Sequence, residues 1–539
     1  MSERPRSDAP PAAPGEPRAA ALAREAAEAP DAAHGAADEA GRCVAVAPPT
    51  WRAETVAQAR QAAPLVLFNA LQFSISAISI AAVGRTGAQR MAAAALASSF
   101  INVCGSSLLI GTTLTLETTA SQAFGAGELR AIGVSLQRTW LANAVLCAFI
   151  TALWCSAGAA FRALRQDATL ASLAGAYARA CVPHAWLVGA QYPLQKVLQA
   201  QGVMLPFGAI GVVLLAFHVV VTRAAVRGQG YLGAAAALCA TDALSLLLTA
   251  GVYLWRERPA SPEARTWPGL TADALRGWGP FLRLAAPGVL MLVIEWSTFE
   301  TVTLLSGLLP GASSGAPTAA SAICFNTIML AFSIPLGFAN AGSARVGAAL
   351  GADDAASARR AATVTFVAAA GMQALLAAFL GGLGGARYAA LYTGSGPGAA
   401  EALAAFRSVL PALAVLVVGD GMQCALSGVV RGAGAQAVAA RFNLFAYYIV
   451  GLPFGIALAF GAHVGLVGLW VGLALATNLQ AALLGVYLWR LDWRETAAAV
   501  HAAQLAEAKA GAAAAAQGTQ LAAMGEHVDE RRSLLDPGA

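Results

Sequence analysis

Charged side chains are scarce in this chain of 539 residues. Asp, Glu, Lys and Arg make up 12% of it and hydrophobic residues 58%, whereas a soluble globular protein carries about 25% charged residues. From about Pro64 to Trp489 the charges fall mostly in short clusters between apolar runs, each about 20 residues long and able to cross a bilayer. A soluble domain would show amphipathic periodicity instead. The composition therefore predicts a polytopic membrane protein surrounded by lipid.

Several other signals are missing as well. The net formal charge is only +5 and no dense Lys/Arg block occurs, which argues against a nucleic-acid partner. The eight cysteines form no CxxC pair and have no metal-ligand spacing, so we expect small buried side chains in helices and no metal or cofactor. No catalytic constellation of His, Ser and Cys appears. An enzyme is therefore not expected.

The apolar runs predict about twelve transmembrane helices. They centre near Phe73, Leu108, Leu146, Ala180, Leu214, Leu244, Met291, Met329, Ala370, Val415, Val450 and Leu475. The longest polar connection, rich in Arg and Pro, lies between the sixth and seventh spans, where a two-lobed protein has its linker. The predicted organisation is a disordered N-terminal tail (1–58), a first lobe (59–255), a linker (256–277), a second lobe (278–493) and a C-terminal tail (494–539).

The charges of the loops predict how the chain is oriented in the membrane, and a weak internal repeat indicates the class of protein. Loops on the side of the termini carry more Lys and Arg than loops on the other side, so the positive-inside rule predicts cytoplasmic termini and linker. The segment Ser121–Glu128 after the second span resembles Arg345–Asp353 after the eighth, since each is a helix running into a Gly/Ala turn. Such a six-plus-six repeat is typical of secondary transporters, which bind substrate between the halves near the midplane.

Four carboxylic acids stand out because they lie deep inside predicted spans. A central Asp costs about 3 kcal/mol there, and no Lys or Arg lies at matching depth. Without a counter-charge a buried carboxyl favours its neutral form, so it can gain and lose a proton during a cycle. Once ionised, it attracts an organic cation, and this competition is the minimal logic of antiport. The four are Asp242 in the sixth span, Glu295 and Glu300 in the seventh, and Asp420 in the tenth.

Helical geometry limits how the two glutamates of the seventh span act together. Glu295 and Glu300 are five residues apart, so on a regular helix their directions differ by about 140°. One then faces a cavity and the other a neighbouring helix, unless the cavity is wide or the helix irregular. Glu117 lies nearer the cytoplasmic end of the second span, where a gating or interface role is favoured. For every one of these acids, a structural hydrogen bond between helices is the alternative.

Weaker candidates surround these acids. Trp296 and Phe299 flank the glutamates and could stack on a planar cation, or they pack as ordinary aromatics. Further residues could line a cavity, with contacts between helices as the alternative; these are Asn69, Gln72, Asn326, Tyr447 and Tyr448.

Several motifs resemble one family of transporters in the right order from about Pro64 to Trp493. They include Glu117–Gly127, which ends in Ser-Gln-Ala-Phe-Gly-Ala-Gly, as well as Gln199–Gln201, Glu295–Glu300, Arg345–Gly347 and Arg431–Gly432. They are similar to the multidrug and toxic compound extrusion (MATE) family, and most of all to its eukaryotic, plant-like branch.

The resemblance implies a fold and a function. The fold would be all-α, with twelve helices in two six-helix lobes related by pseudo-twofold symmetry around a V-shaped central cavity. The function would be proton-coupled export of organic cations, xenobiotics or secondary metabolites, with Glu295, Glu300 and Asp420 as the coupling acids. Asp242 stands where the family often has Asn. The aspartate would either add a protonatable site to the first lobe or be a substitution without functional effect.

Three alternatives to this function stay open. One is a Na⁺-coupled or organic-anion/citrate exporter of the same fold. Another is a lipid-precursor flippase of the wider superfamily, although its pyrophosphate would need a basic cavity. The third is a membrane receptor that transports nothing.

The C-terminal tail carries a candidate sorting signal. Glu530, Leu534 and Leu535 fit the acidic dileucine pattern that vesicle-coat adaptors read. The pattern predicts an integral protein of the vacuolar or endosomal membrane, with the plasma membrane as the alternative.

Overall fold

The computed structural model describes residues 50–258, 264–309, 316–384 and 399–510. These residues are almost entirely helical. The first half contains α1 (Trp51–Gly84), α2 (Ala88–Gly125), α3 (Leu129–Cys155), α4 (Ala157–Ala163), α5 (Ala168–Ala180), α6 (Val182–Ala200), α7 (Leu205–Gln229) and α8 (Leu232–Glu257). The second half contains α9 (Trp278–Ser306), α10 (Ala316–Gly351), α11 (Ala355–Phe379), α12 (Ala399–Gly432), α13 (Gln436–Gly461), α14 (Leu466–Arg490) and α15 (493–510). Glu530, Leu534 and Leu535 lie outside the described residues.

Eleven of the described helices are long and apolar enough to cross a membrane. The predicted span near Ala180 is divided into α5 and α6 at Cys181. Pro183 opens α6, where its missing N–H is tolerated. The glutamines and the lysine of α6 face the protein and not lipid, since they are buried: Gln191, Gln195, Lys196 and Gln199. The all-α, polytopic fold is thus confirmed.

Both ends of the helical bundle extend into ranges predicted as tails. The side chain of Thr50 accepts a hydrogen bond from the backbone N–H of Ala53 and caps α1, so this helix begins at Trp51, inside the range 1–58. At the other end, α15 falls within 494–539 for nearly all of its length. It is packed against the bundle, where Ala497 is fully buried.

The helices form two lobes, α1–α8 and α9–α14. Trp154 and Phe207 are buried in apolar clusters of the first lobe, and Phe406 and Trp470 in a cluster of the second. Many of the described spans are joined by connections of a few residues, such as those between α1 and α2 and between α7 and α8, and successive spans run in opposite directions. We call the face where α1 begins at Trp51 and α14 ends the terminal face, and the face where α1 ends the opposite face.

The inter-lobe linker is held against the first lobe at the terminal face. Its backbone N–H at Thr271 donates to the side chain of Gln137 on α3 (3.1 Å), whose amide donates in turn to the carbonyl of Gly269 (2.8 Å). Arg130 of α3 pairs with Asp273 (2.9 Å). The described part of the linker is therefore a docked segment.

The two repeat segments noted in the sequence meet each other at the terminal face. Gly125 of α2 lies against the backbone of Ala348 on α10, and Gly351 of α10 lies against the carbonyl of Gln122 on α2. A side chain at either glycine would overlap those backbone atoms. The small residues of both repeats therefore allow the lobes to approach closely, as small residues do between membrane helices.

We expect Gly125→Ala to destabilise the protein by about 1–3 kcal/mol, the usual cost of overpacking. Its methyl group would meet backbone atoms of Ala348, which no side-chain rotation can move. The measurement is the thermal unfolding temperature of the purified protein in detergent. Gly251→Ala on α8 is the matched control, because open space surrounds that position and alanine favours a helix. Equal unfolding temperatures for the two variants would contradict this packing.

Candidate functional site

Two acids of the second lobe meet at one amide group. Gln423 Nε2 donates to Glu295 Oε1 on α9 and to Asp420 Oδ1 on α12, both at 3.1 Å. Gln423 and Asp420 are three residues apart, so they share one face of α12. Glu295 is 8% exposed and Asp420 2%. The structure thus brings together two of the four predicted acids, at mid-height of their helices.

This carboxyl pair has no ion-pair partner in the described part of the chain. Arg431 contributes positive potential at Glu295, but its guanidinium is bonded to Glu117 (3.2 Å). The hydroxyl of Tyr447 is buried near the pair and has no hydrogen-bond partner among the described residues. Two carboxyls without a counter-cation are an arrangement that can hold a proton or receive a cation.

Side chains of two further helices fix α9 beside this pair. Asn443 of α13 donates to the carbonyl of Met291 on α9 (3.1 Å), and Gln480 of α14 donates to the side-chain oxygen of Asn443 (2.6 Å). Met291 lies one turn before Glu295. The network therefore anchors the helix that carries the glutamate.

Glu300 faces away from the pair, as the 140° offset predicted. Its carboxyl lies against the hydroxyl of Ser99, on α2 of the first lobe. Glu300 and Glu295 consequently belong to different surroundings on the same helix.

Asp242 lies in the first lobe and has a partner that the sequence reasoning missed. His184 Nδ1 on α6 is 2.6 Å from Asp242 Oδ2 on α8. Lysine and arginine are not the only counter-charges available to a carboxylate, because histidine also becomes a cation when protonated. The expectation that Asp242 lacks a partner was wrong for this reason.

The weaker candidates take different positions. Phe299 is buried and packs edge-on against Phe325, with ring centres 6.4 Å apart. Asn326 is exposed and donates to the carbonyl of Ala322 in its own helix (2.8 Å). Both residues therefore make structural contacts here.

Other candidates keep polar atoms available. Tyr448 is 38% exposed and its hydroxyl lies 2.8 Å from that of Ser297 on α9. On α1, the side-chain nitrogen of Asn69 and the oxygen of Gln72 are buried without a hydrogen-bond partner in the described residues. Trp296 is partly buried on α9, next to Glu295.

A cluster of buried charges joins the lobes at the terminal face. Glu117 of α2 pairs with Lys196 of α6 (2.5 Å) and with Arg431 of α12 (3.2 Å). Lys196 also donates to the side chain of Asn340 on α10 (3.0 Å). All four side chains are at most 8% exposed. Glu117 of the first lobe thus bonds directly to Arg431 of the second, a contact that an interface role would require.

A second ion pair closes the same face. Arg345 of α10 binds Glu54 of α1 through two nitrogens, at 2.6 and 2.5 Å. One turn further along α1, Gln58 donates to the carbonyl of Ala361 on α11 (2.8 Å) and accepts from Thr365 (3.0 Å). Beside them, α15 contacts both lobes, because His501 bonds the carbonyl of Gly351 (2.6 Å) and Glu507 lies 3.6 Å from Arg138.

Comparison with known proteins accounts for this architecture. The MatE family model matches the chain twice, at residues 64–223 and 287–457. The chain belongs to the MatE family. The two matches fall one in each lobe, which explains the internal repeat, and the family consists of membrane transporters. The MatE chain is accordingly a membrane transporter and not an enzyme.

Curated relatives of this MatE chain occur in plants and animals. It is 34% identical to Protein DETOXIFICATION 16 of Arabidopsis thaliana over 408 residues, which are 75% of this chain and 81% of the relative. It is 32% identical to Multidrug and toxin extrusion protein 2 of Mus musculus over 453 residues, 83% of this chain and 76% of the relative.

Solved structures agree with the MatE fold. The crystal structure of the eukaryotic MATE transporter AtDTX14 superposes with a TM-score of 0.78 at 30% identity, covering 84% of this chain and 99% of that one. An outward-facing multidrug resistance MATE family transporter superposes with a TM-score of 0.72 at 18% identity, over 83% and 96% of the two chains. The resemblance inferred from motifs is confirmed.

Proposed function

We propose that this chain exports small organic cations in exchange for protons, and that Glu295 and Asp420 couple the two movements. The observation that carries the proposal is the buried carboxyl pair joined by Gln423, for which the described residues supply no ion pair. The names of its relatives, which refer to detoxification and to multidrug and toxin extrusion, favour an organic substrate.

The pair supports coupling through its electrostatics. Two ionised carboxyls on one amide repel each other in a low dielectric, so a proton or a cation must neutralise them. Loading a proton removes the charge that holds an organic cation, and loading the cation displaces the proton. Glu300 and Asp242 add carboxyls at separate points, and Trp296, Tyr448, Asn69 and Gln72 offer aromatic or polar surface to a substrate.

The closed terminal face supports one half of an alternating-access cycle. The Glu117 cluster and the Glu54–Arg345 pair hold the lobes together on the side of the termini. We place that side in the cytoplasm, by the positive-inside rule. The conformation with a closed terminal face then corresponds to a transporter that is closed toward the cytoplasm.

Flux into proteoliposomes tests the function. Purified protein is reconstituted, a fluorescent quaternary ammonium cation is added, and a pH gradient or a Na⁺ gradient is imposed separately. We expect accumulation driven by the pH gradient alone. Accumulation driven only by Na⁺ would replace the proton as the coupling ion, and uptake of citrate but not of the cation would replace the substrate class. No flux under any gradient would remove the transport proposal for these substrates.

We also propose that the C-terminal dileucine directs the protein to a vacuolar or endosomal membrane by binding a vesicle-coat adaptor. Alanine at both Leu534 and Leu535 should shift a fluorescently tagged protein to the plasma membrane, because the adaptor loses both apolar anchors. Confocal imaging measures the change. Leu521→Ala, in the same tail but outside the pattern, is the control. An unchanged distribution for the double variant would remove the sorting role.

A further inference from the structure

A second polar centre lies in the first lobe, apart from the Glu295–Asp420 pair. Its core is the contact between His184 Nδ1 and Asp242 Oδ2 at 2.6 Å, in which the two side chains are 14% and 16% exposed. The distance puts the two groups in direct hydrogen-bond contact. Asp242 lies at mid-height of α8, and His184 lies near the start of α6, at the middle of the span that α5 and α6 form together. At this depth ionisable side chains are costly unless they have a function.

The surroundings of this pair are built from four neighbouring elements. The ring of Trp154 on α3 stacks on that of His184, with centres 6.4 Å apart and 14° between planes. His218 of α7 contacts the hydroxyls of Ser79 on α1 (2.9 Å) and Thr241 on α8 (2.8 Å). The stacked indole fixes the imidazole of His184, and two neutral hydroxyls hold His218.

No permanent cation completes the centre within the described chain. The titratable groups near Asp242 are His184, Tyr192 on α6, His218, Cys181 between α5 and α6, and Cys239 on α8 itself. Among them only a histidine can balance the carboxylate. The centre is therefore neutral when His184 carries a proton and negative when it has lost one.

We propose that His184 and Asp242 form a second proton-exchanging site, so that each lobe takes up one proton per transport cycle. The inference rests on the proposed function and extends it. When the organic cation is to be loaded, a proton leaves the imidazolium of His184 to water. The negative charge of Asp242 is then no longer balanced, and it attracts the cation. When the cation has left, a proton returns to His184 from the other side of the membrane.

A second proton site changes the net charge that crosses the membrane in each cycle, whereas a purely structural hydrogen bond would not. With a site in each lobe, two protons enter for each monovalent cation that leaves, and the cycle carries one net positive charge inward. With only the Glu295–Asp420 pair, one proton exchanges for one cation and no net charge moves. The membrane potential therefore drives the first cycle and leaves the second unaffected.

The experiment measures transport of a monovalent quaternary ammonium cation in proteoliposomes at a fixed pH gradient, with a potential set by K⁺ and valinomycin. We expect the unaltered protein to respond to the potential. Asp242→Asn, whose side-chain oxygen still accepts a hydrogen bond from His184, and His184→Gln should show slower pH-driven flux that no longer responds to the potential. His218→Gln is the matched control and should keep it, since its partners are hydroxyls.

Two outcomes would overturn the inference. One is transport by the unaltered protein that ignores the potential, a result that requires no variant to fold. The other is an undiminished response in both Asp242→Asn and His184→Gln. Failure of the proposed function would look different, because the unaltered protein would then show no flux driven by the pH gradient at all.

Discussion

Glu295→Gln should reduce pH-driven export to the background of protein-free vesicles. In the unaltered protein Gln423 donates a hydrogen bond of 3.1 Å to Glu295. The amide oxygen of the new side chain can still accept this bond, so local packing is preserved. What is lost is the ability to release a proton and expose a negative charge. The measurement is the initial rate of cation uptake in proteoliposomes, normalised to the amount of folded protein from size-exclusion chromatography.

The control for this variant is Glu401→Gln, which removes the same charge from an exposed position near the start of α12 and should leave transport unchanged. Asp420→Asn should cause the same loss as Glu295→Gln. The double variant should be no worse than either single one, because residues that share one network are not additive. Normal pH-driven export by Glu295→Gln would contradict the coupling role.

Glu117→Gln should destabilise the protein by about 3–5 kcal/mol, the cost of removing one partner from a buried ion pair. Lys196 and Arg431 would remain buried, 6% and 5% exposed, with no carboxylate between them. Since Arg431 belongs to the other lobe, the repulsion would also favour separation of the lobes at the terminal face. Thermal unfolding in detergent measures the loss.

Two further variants make this result interpretable. Arg130→Gln breaks the pair with Asp273, where the arginine is 53% exposed, and should cost less than about 1 kcal/mol. Adding Lys196→Gln to Glu117→Gln should recover part of the stability, because one uncompensated charge is then removed. An unfolding temperature for Glu117→Gln within error of Arg130→Gln would show that the cluster does not hold the lobes.

Composition alone predicted much of this fold. Runs of apolar residues set the number and place of the spans, because a bilayer admits few other structures. The span near Ala180 was located, yet its division at Cys181 was not predicted. Its lysine, Lys196, bonds Asn340, which is 144 residues away, and no local pattern reveals such a partner.

The candidate site was predictable in part for the same reason. A carboxyl in an apolar run is visible in the sequence, so Glu295 and Asp420 were both found. Their meeting depends on the uncharged side chain of Gln423, which a search for charges inside apolar runs does not find. Similarly, Glu117 and Arg431 are 314 residues apart. Pairing between lobes is set by tertiary packing and cannot be obtained from helical periodicity.

The helix at residues 493–510 affects the balance between conformations. Its contacts through His501 and Glu507 reach Gly351 in one lobe and Arg138 in the other. Bonds that span both lobes exist only while the terminal face is closed, so they lower the free energy of that state alone. Each 1.4 kcal/mol or so that they contribute shifts the ratio of closed to open molecules tenfold. A truncation, a phosphate group or a binding protein that removes this helix would thus change the turnover rate without touching a substrate-binding residue.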